Sequence, residues 1–204
     1  MKQLGMAPVT LKTRLLAMIQ REIDRSDPEH PGLIMAKMNS LTHQEVIEAL
    51  YKASQAGVQV MLNIRGICML VPGVKGLSEN IKVVSIVDRY LEHSRIFYFQ
   101  NSGSPELYLS SADWMSRNLD RRIELMFPVL DRNAFKEVQG ILSTYFEDNT
   151  NAQYLSENGI WQPVERKKDE KEMRAQEILY KKYRRRAESS AKTPKIDFEV
   201  RRKN

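Results

Sequence analysis

Cysteine occurs once in the 204 residues, at Cys68. That excludes an internal disulfide framework and any multi-cysteine zinc site. Histidine occurs three times, at His30, His43 and His93, too widely spaced for a local metal motif. No run of about 18 uncharged apolar residues exists, which excludes a membrane-spanning helix. The opening residues, Met1-Lys2-Gln3-Leu4-Gly5-Met6, lack the apolar core of a signal peptide, so secretion is not expected. The location this predicts is cytoplasmic, with membrane association left open. Disordered chains are poor in apolar residues, whereas here 42% are hydrophobic and 28% charged, enough to bury a core. The length suits one domain with an appendage.

The net charge of +6 is unevenly placed. Residues 165–204 hold 15 Lys/Arg and 8 Asp/Glu, a net of +7, and the preceding 164 residues hold 17 and 18, a net of −1. The excess positive charge therefore belongs to the C-terminal segment, which could attract nucleic acid, anionic lipid or another polyanion, or could be a solvated helix with a frayed tail.

Hydrophobic spacing predicts the elements. Thr10 is placed to cap a helix from Leu11 to about Ile23, with Leu15, Leu16, Ile19 and Ile23 on one face. Gly32–Met38 reads as a buried strand. Thr42 and Glu45 form a capping-box pattern opening a helix that ends near Gly57. Strands are expected at Val58–Ile64, Ile81–Val87, Ser94–Phe99 and Glu106–Ser110, the last two as a hairpin. Ile123–Leu130 is a further buried run, limited by Pro128 to an edge or strand end. Helices are expected at Asn133–Phe146 and, with a stripe of Met173, Leu179, Tyr180 and Tyr183, at Lys167–Arg186. Residues after Ser189 read as disordered. Strand–helix–strand over 32–64 implies a right-handed crossover and a parallel pair. The fold class is α/β, a sandwich with a mixed sheet. In such sheets the loops leaving the strands' carboxyl ends build the site.

Those loops carry unusual residues. One is Lys37-Met38-Asn39-Ser40, a cation with two hydrogen-bonding side chains. Another is Ile64-Arg65-Gly66-Ile67-Cys68, running into Pro72–Asn80. A third is Glu92-His93-Ser94-Arg95-Ile96, and a fourth basic cluster, Arg117–Arg122, follows Ser110–Trp114. Arginine suits bidentate contact with phosphate oxygens, and glycine lets the backbone approach an anion. Histidine can act on phosphorus as nucleophile or as general acid and base. The combination suggests phosphate handling. Singly, Arg65 fits a surface salt bridge as well, and His93 fits a structural histidine. His30 and His43 read as surface residues, Cys68 as a packed small residue, and Trp114 and Trp161 as packing anchors.

Together these motifs resemble the C-terminal part of bacterial polyphosphate kinase of the first family. The matching stretches are Lys37–Leu41, Ile64–Cys68, Pro72–Ile81, Glu92–Ile96, Leu109–Met115 and Arg117–Arg122, in the family's order over roughly residues 7–164. The resemblance implies a phospholipase D-like α/β sandwich at 1–164, followed by a charged helix and basic tail at 165–204. It implies reversible transfer of the terminal phosphate of ATP to inorganic polyphosphate through a phosphohistidine. Arg65 and His93 stand where the family contacts nucleotide or phosphate, and His93 is the expected catalytic group. Lys37, Asn39, Arg95, Arg121 and Arg122 are candidates for the polyphosphate path.

The resemblance also implies ATP or ADP and polyphosphate as ligands. It implies the N-terminal, head and first C-terminal domains of the same enzyme as partners, a homo-oligomer at full length, and no nucleic acid. Mg2+ is the family's cofactor, but its ligands are not expected here. The family's phosphorylated histidine lies in the first C-terminal domain, in a Thr-His-X-Lys-type motif that this sequence lacks. The chain is thus expected to be a dissected fragment or a truncated gene product, and alone to make no polyphosphate. Two other readings stay open, a non-catalytic polyanion-binding module using the basic tail and a phospholipase D-like hydrolase half-domain. Against the second, His93-Ser94-Arg95 has arginine where that pattern usually has lysine.

Overall fold

The structure, a computed structural model, describes residues 4–191. Strand β1 (Gly5–Ala7) precedes helix α1 (Leu11–Arg25). Then come β2 (Leu33–Met38), α2 (Gln44–Gln55), β3 (Gln59–Ile64) and β4 (Ile81–Ile86). The hairpin strands are β5 (Arg95–Phe99) and β6 (Glu106–Ser110), followed by a π-helical turn at Arg117–Arg121 and β7 (Glu124–Pro128). Helix α3 (Arg132–Phe146), β8 (Ala152–Leu155), β9 (Trp161–Pro163) and α4 (Ala175–Ala191) complete the order.

Nine strands form one mixed sheet in the order β1-β7-β6-β5-β2-β3-β4-β8-β9. The pairs β2–β3 and β3–β4 are parallel, and the others are antiparallel. Side chains alternate across a strand, so each central strand feeds two cores. Ile34, Ala36 and Met38 of β2, with Phe97 and Phe99 of β5, pack among residues of α1 and α2 such as Leu15, Ile19, Val46 and Leu50. Met35, Ile96 and Tyr98 face the other way, onto Leu142 and Phe135 of α3. A smaller cluster of Ile86, Tyr145, Ala152 and Ala175 seats the start of α4. Trp114, fully buried, packs on Phe97 with ring centroids 4.9 Å apart.

Several local expectations are corrected. Thr10 flanks α1 without capping it: its hydroxyl accepts the Met6 amide, four residues back. The capping box at Thr42 does not form, because the Thr42 and His43 amides both donate to the Trp114 carbonyl and α2 begins at Gln44. The charged helix starts at Ala175, not Lys167. Asp148 accepts the Ala175 amide (2.7 Å) and Asn149 accepts that of Met173 (2.8 Å), which fixes the chain just ahead of it. The disorder expected after Ser189 falls mainly on 192–204, outside the described residues, and Ser189–Ala191 belong to α4. Strands β1, β8 and β9 are not announced by the sequence pattern. They are three or four residues long, too short to show a period.

The parallel pairing and the reversed direction of β5 bring five chain segments to one edge of the sheet. Met38 and Ile64 end β2 and β3 side by side, and Lys37 lies opposite Ile96 at the start of β5. Arg95 lies opposite Ser110, where β6 ends, and Ser110 lies opposite Met126, in the middle of β7.

Truncating Phe97 to Ala opens a cavity beside Trp114 in the largest core. We expect a loss of about 3–5 kcal/mol, read by urea unfolding. A loss under about 1 kcal/mol would show that the strand and Trp114 do not depend on this contact.

Candidate active site

At that edge a cleft of about 390 Å³ is lined by Asn39, Ser40, Arg65, His93, Arg95, Ser111, Asp113, Arg117, Asn118, Arg122 and Glu124. Four arginines face two carboxylates, so the lining carries a net positive charge.

Asp113 organises it. Its carboxylate, almost fully buried, accepts the Asn39 backbone amide (2.8 Å) and the Asn39 side-chain amide (3.1 Å). The same carboxylate receives both arms of Arg95, Nε and Nη2, each at 3.1 Å. Asn39 passes the order on, because its Oδ1 accepts Arg65 Nε at 2.7 Å. Among the described residues no carboxylate pairs with Arg65, so the surface salt bridge considered for it does not form. Among the described residues its terminal guanidinium nitrogens make no further hydrogen bond. Gly66 is required where the two loops meet. Its amide donates to the Asn39 carbonyl (2.8 Å), and a Cβ there would lie 2.8 Å from that oxygen.

His93 is exposed at the cleft, just before β5. The nearby carboxylates are engaged elsewhere, Glu92 with Lys37 (3.2 Å) and Asp88 with Arg174 (2.6 Å). Its Nδ1 instead faces Arg95 Nη1 at 3.3 Å, and Arg95 also bonds the His93 carbonyl (3.0 Å). A guanidinium can only donate, so Nδ1 accepts and the proton of the neutral ring sits on Nε2.

The remaining predicted residues divide. Asn39, Arg95 and Arg122 line the cleft, with Arg95 mostly committed to Asp113 and His93. Arg121 is exposed on the π-helical turn and outside the lining. Lys37 points to the α3 side of the sheet and is buried. Its ammonium lies over the Tyr145 ring (4.8 Å) and pairs with Glu92. Burial pushes its pKa below the ordinary value, Glu92 opposes this, and Arg65 and Arg95 add to the lowering.

Sequence reasoning missed Asp113, Arg117, Asn118 and Glu124 as lining residues. The available signal was a carboxylate between Ala112 and Trp114, both apolar. Glu124 is bonded to the Ser111 hydroxyl and to Asn118 Nδ2 (2.6 Å). His43, read as a surface residue, is buried and bonds Asp120 (3.1 Å). The Lys12–Asp120 pair that completes this cluster comes from α1, which local sequence around His43 does not reveal. Cys68 is packed as expected, and burial pushes its thiol up to about 11.

The fold is that of phospholipase D-like α/β sandwiches. The structure of Nuc from Salmonella typhimurium, a phospholipase D family member, superposes with a TM-score of 0.53 over 76% of this chain and 97% of that one, at 13% identity. Within that class, this chain belongs to the family described as polyphosphate kinase C-terminal domain 2, which matches residues 4–176. It is 50% identical to the polyphosphate kinase of Rhodopirellula baltica over 202 residues, 99% of this chain and 24% of that protein. With the polyphosphate kinase of Pseudomonas aeruginosa the identity is 55% over 162 residues, 79% of this chain and 24% of that protein. The crystal structure of polyphosphate kinase from Porphyromonas gingivalis matches with a TM-score of 0.86 and 40% identity, covering 92% of this chain and 28% of that one. The chain thus spans about a quarter of the length of these relatives.

Two outcomes follow. Asp113→Asn leaves the largely buried Arg95 without its charge partner, and breaking such a pair costs about 3–5 kcal/mol. Denaturant unfolding reads this, and a change below about 1 kcal/mol would contradict the hub role. Cys68, with its raised pKa, is about one-thousandth thiolate at pH 8. Its alkylation by iodoacetamide should be slow there and still accelerating above pH 10. A rate that levels off near pH 9 would show an ordinary, accessible thiol.

Proposed function

We propose that this chain is the second C-terminal domain of a polyphosphate kinase. In this reading its cleft holds phosphates of ATP and polyphosphate during reversible transfer of the terminal phosphate. The observation that carries it is the cleft itself. Arg65, ordered through Asn39 and paired with no carboxylate among the described residues, shares it with an exposed His93 whose Nδ1 is occupied. Family membership supplies the substrate class.

Arg65 would neutralise phosphate oxygens as charge shifts during transfer. His93 Nε2–H would hold or hand over a proton at the phosphate oxygens, or stabilise charge on the departing phosphate. Arg122, and Arg117 beside it, would extend the cationic lining along the polymer. Arg95 is a positioning residue, since Asp113 and His93 take most of its donors. That commitment also argues against a phospholipase D-like hydrolase, where the corresponding cation should face the phosphate. The remaining domains of the enzyme would supply the phosphorylated histidine. The residues here do not fit a Mg2+ site. Among the described residues no cluster of three potential ligands exists, and Asp113 and Glu124 are taken by hydrogen bonds. No step through Mg2+ is assigned to this domain.

Titration of tripolyphosphate into the chain tests the reading. Arg65→Ala should weaken binding roughly tenfold to hundredfold, the equivalent of ~1.5–3 kcal/mol for a charge-assisted contact, with the melting temperature unchanged. Replacing Lys182 and Arg185 of α4 by Ala should leave affinity within about twofold. The reverse pattern would make the chain a polyanion-binding module working through its basic helix. In a complete enzyme carrying this domain, His93→Gln should retain folding and lose most transfer in both directions. Near-normal synthesis and ATP regeneration would remove His93 from the chemistry.

A further inference from the structure

We infer that the segment entering α4, through Arg174 and Gln176, is a strap that positions His93. Residues 87–94, which deliver His93 to the cleft, have no helix or strand of their own. They are nevertheless pinned at every second residue. Asp88 receives a two-armed bond from Arg174, Nε at 3.0 Å and Nη2 at 2.6 Å. Tyr90 exchanges two bonds with Gln176: its amide donates to Oε1 (2.7 Å), and Nε2 donates to its carbonyl (2.8 Å). This is the pattern of a strand ladder, made here by one buried side chain. The Tyr90 ring also stacks on Tyr180, one turn further along α4, at 6.2 Å. Glu92 is then held by Lys37 (3.2 Å).

The strap is anchored at its own end. Ala175 is fully buried, and Asp148 and Asn149 accept the amides of Ala175 and Met173. Arg174 and Gln176 therefore hold the loop against a fixed body. The first residue beyond the last pin is His93, with Nδ1 turned to Arg95. A loop without these pins would sample many placements of the imidazole, and only the fraction competent for binding would count toward affinity. The basic C-terminal segment thus has a role unrelated to its net charge. The inference rests on the reading that His93 meets phosphate, but its geometric part stands apart from it.

The test uses the full 204-residue chain and two readouts. One is the ¹⁵N signature of the His93 tautomer at a pH where the ring is neutral, and the other is tripolyphosphate affinity. Wild type should show mainly the Nε2–H form. Arg174→Gln and Gln176→Ala should each give a mixture of tautomers and weaken affinity about fivefold, with Arg174→Lys restoring part of both. Arg185→Ala, which removes a charge of α4 outside the strap, should change neither. If Arg174→Gln does not fold, Asp88→Asn breaks the same pair from the loop side and carries the same expectation. Folded variants with a wild-type tautomer and affinity would overturn the strap. Should wild type fail to bind tripolyphosphate, the phosphate reading falls, and the tautomer alone decides the strap.

Discussion

One buried carboxylate holds the site together. Asp113 binds the Asn39 loop and Arg95 at once, and through Asn39 it orders Arg65. These groups come from the ends of β2, β3, β5 and β6, which the sheet order makes neighbours. Burying a charge is costly unless it is paired and hydrogen-bonded, and here both conditions are met. The consequence is a division among the arginines. Arg95 is largely consumed in holding Asp113 and His93, while Arg65 is fixed at one end and open at the other.

The same division separates positioning from chemistry around His93. Its neighbours Asp88, Tyr90 and Glu92 are spent on structural partners, and its own Nδ1 is taken by Arg95. What remains for a ligand is Nε2. A side chain this exposed is held through its backbone and one ring nitrogen. Parts of the protein 86 residues apart in sequence are needed to place it.

The central sheet was legible in sequence because β2, β3, β5 and β6 carry apolar runs bounded by glycine, proline or polar turns. The residues proposed to meet phosphate stand out because arginine, glycine and histidine fall where those runs end. Asp113 was within a recognised motif but offered no sign of its partners, which lie 74 residues before and 18 residues before it. Lys37 is expected at the cleft because it lies next to the end of a strand. Period-two alternation turns it to the opposite face, where burial and Glu92 hold it. His43 and Arg174 depend on pairings that no local pattern announces. Charge composition marked the C-terminal segment as basic, but not that its uncharged Gln176 and its Arg174 would close the fold around the His93 loop.

In the proposed function the cleft at the strand ends, and not the basic helix, receives phosphate. A crystal structure of the chain with tripolyphosphate tests it most directly. Phosphate oxygens are expected within hydrogen-bonding distance of the Arg65 terminal nitrogens and of His93 Nε2, with Asp113 still paired to Arg95. Tripolyphosphate bound only along the exposed lysines and arginines of α4, with the cleft empty at saturation, would contradict it.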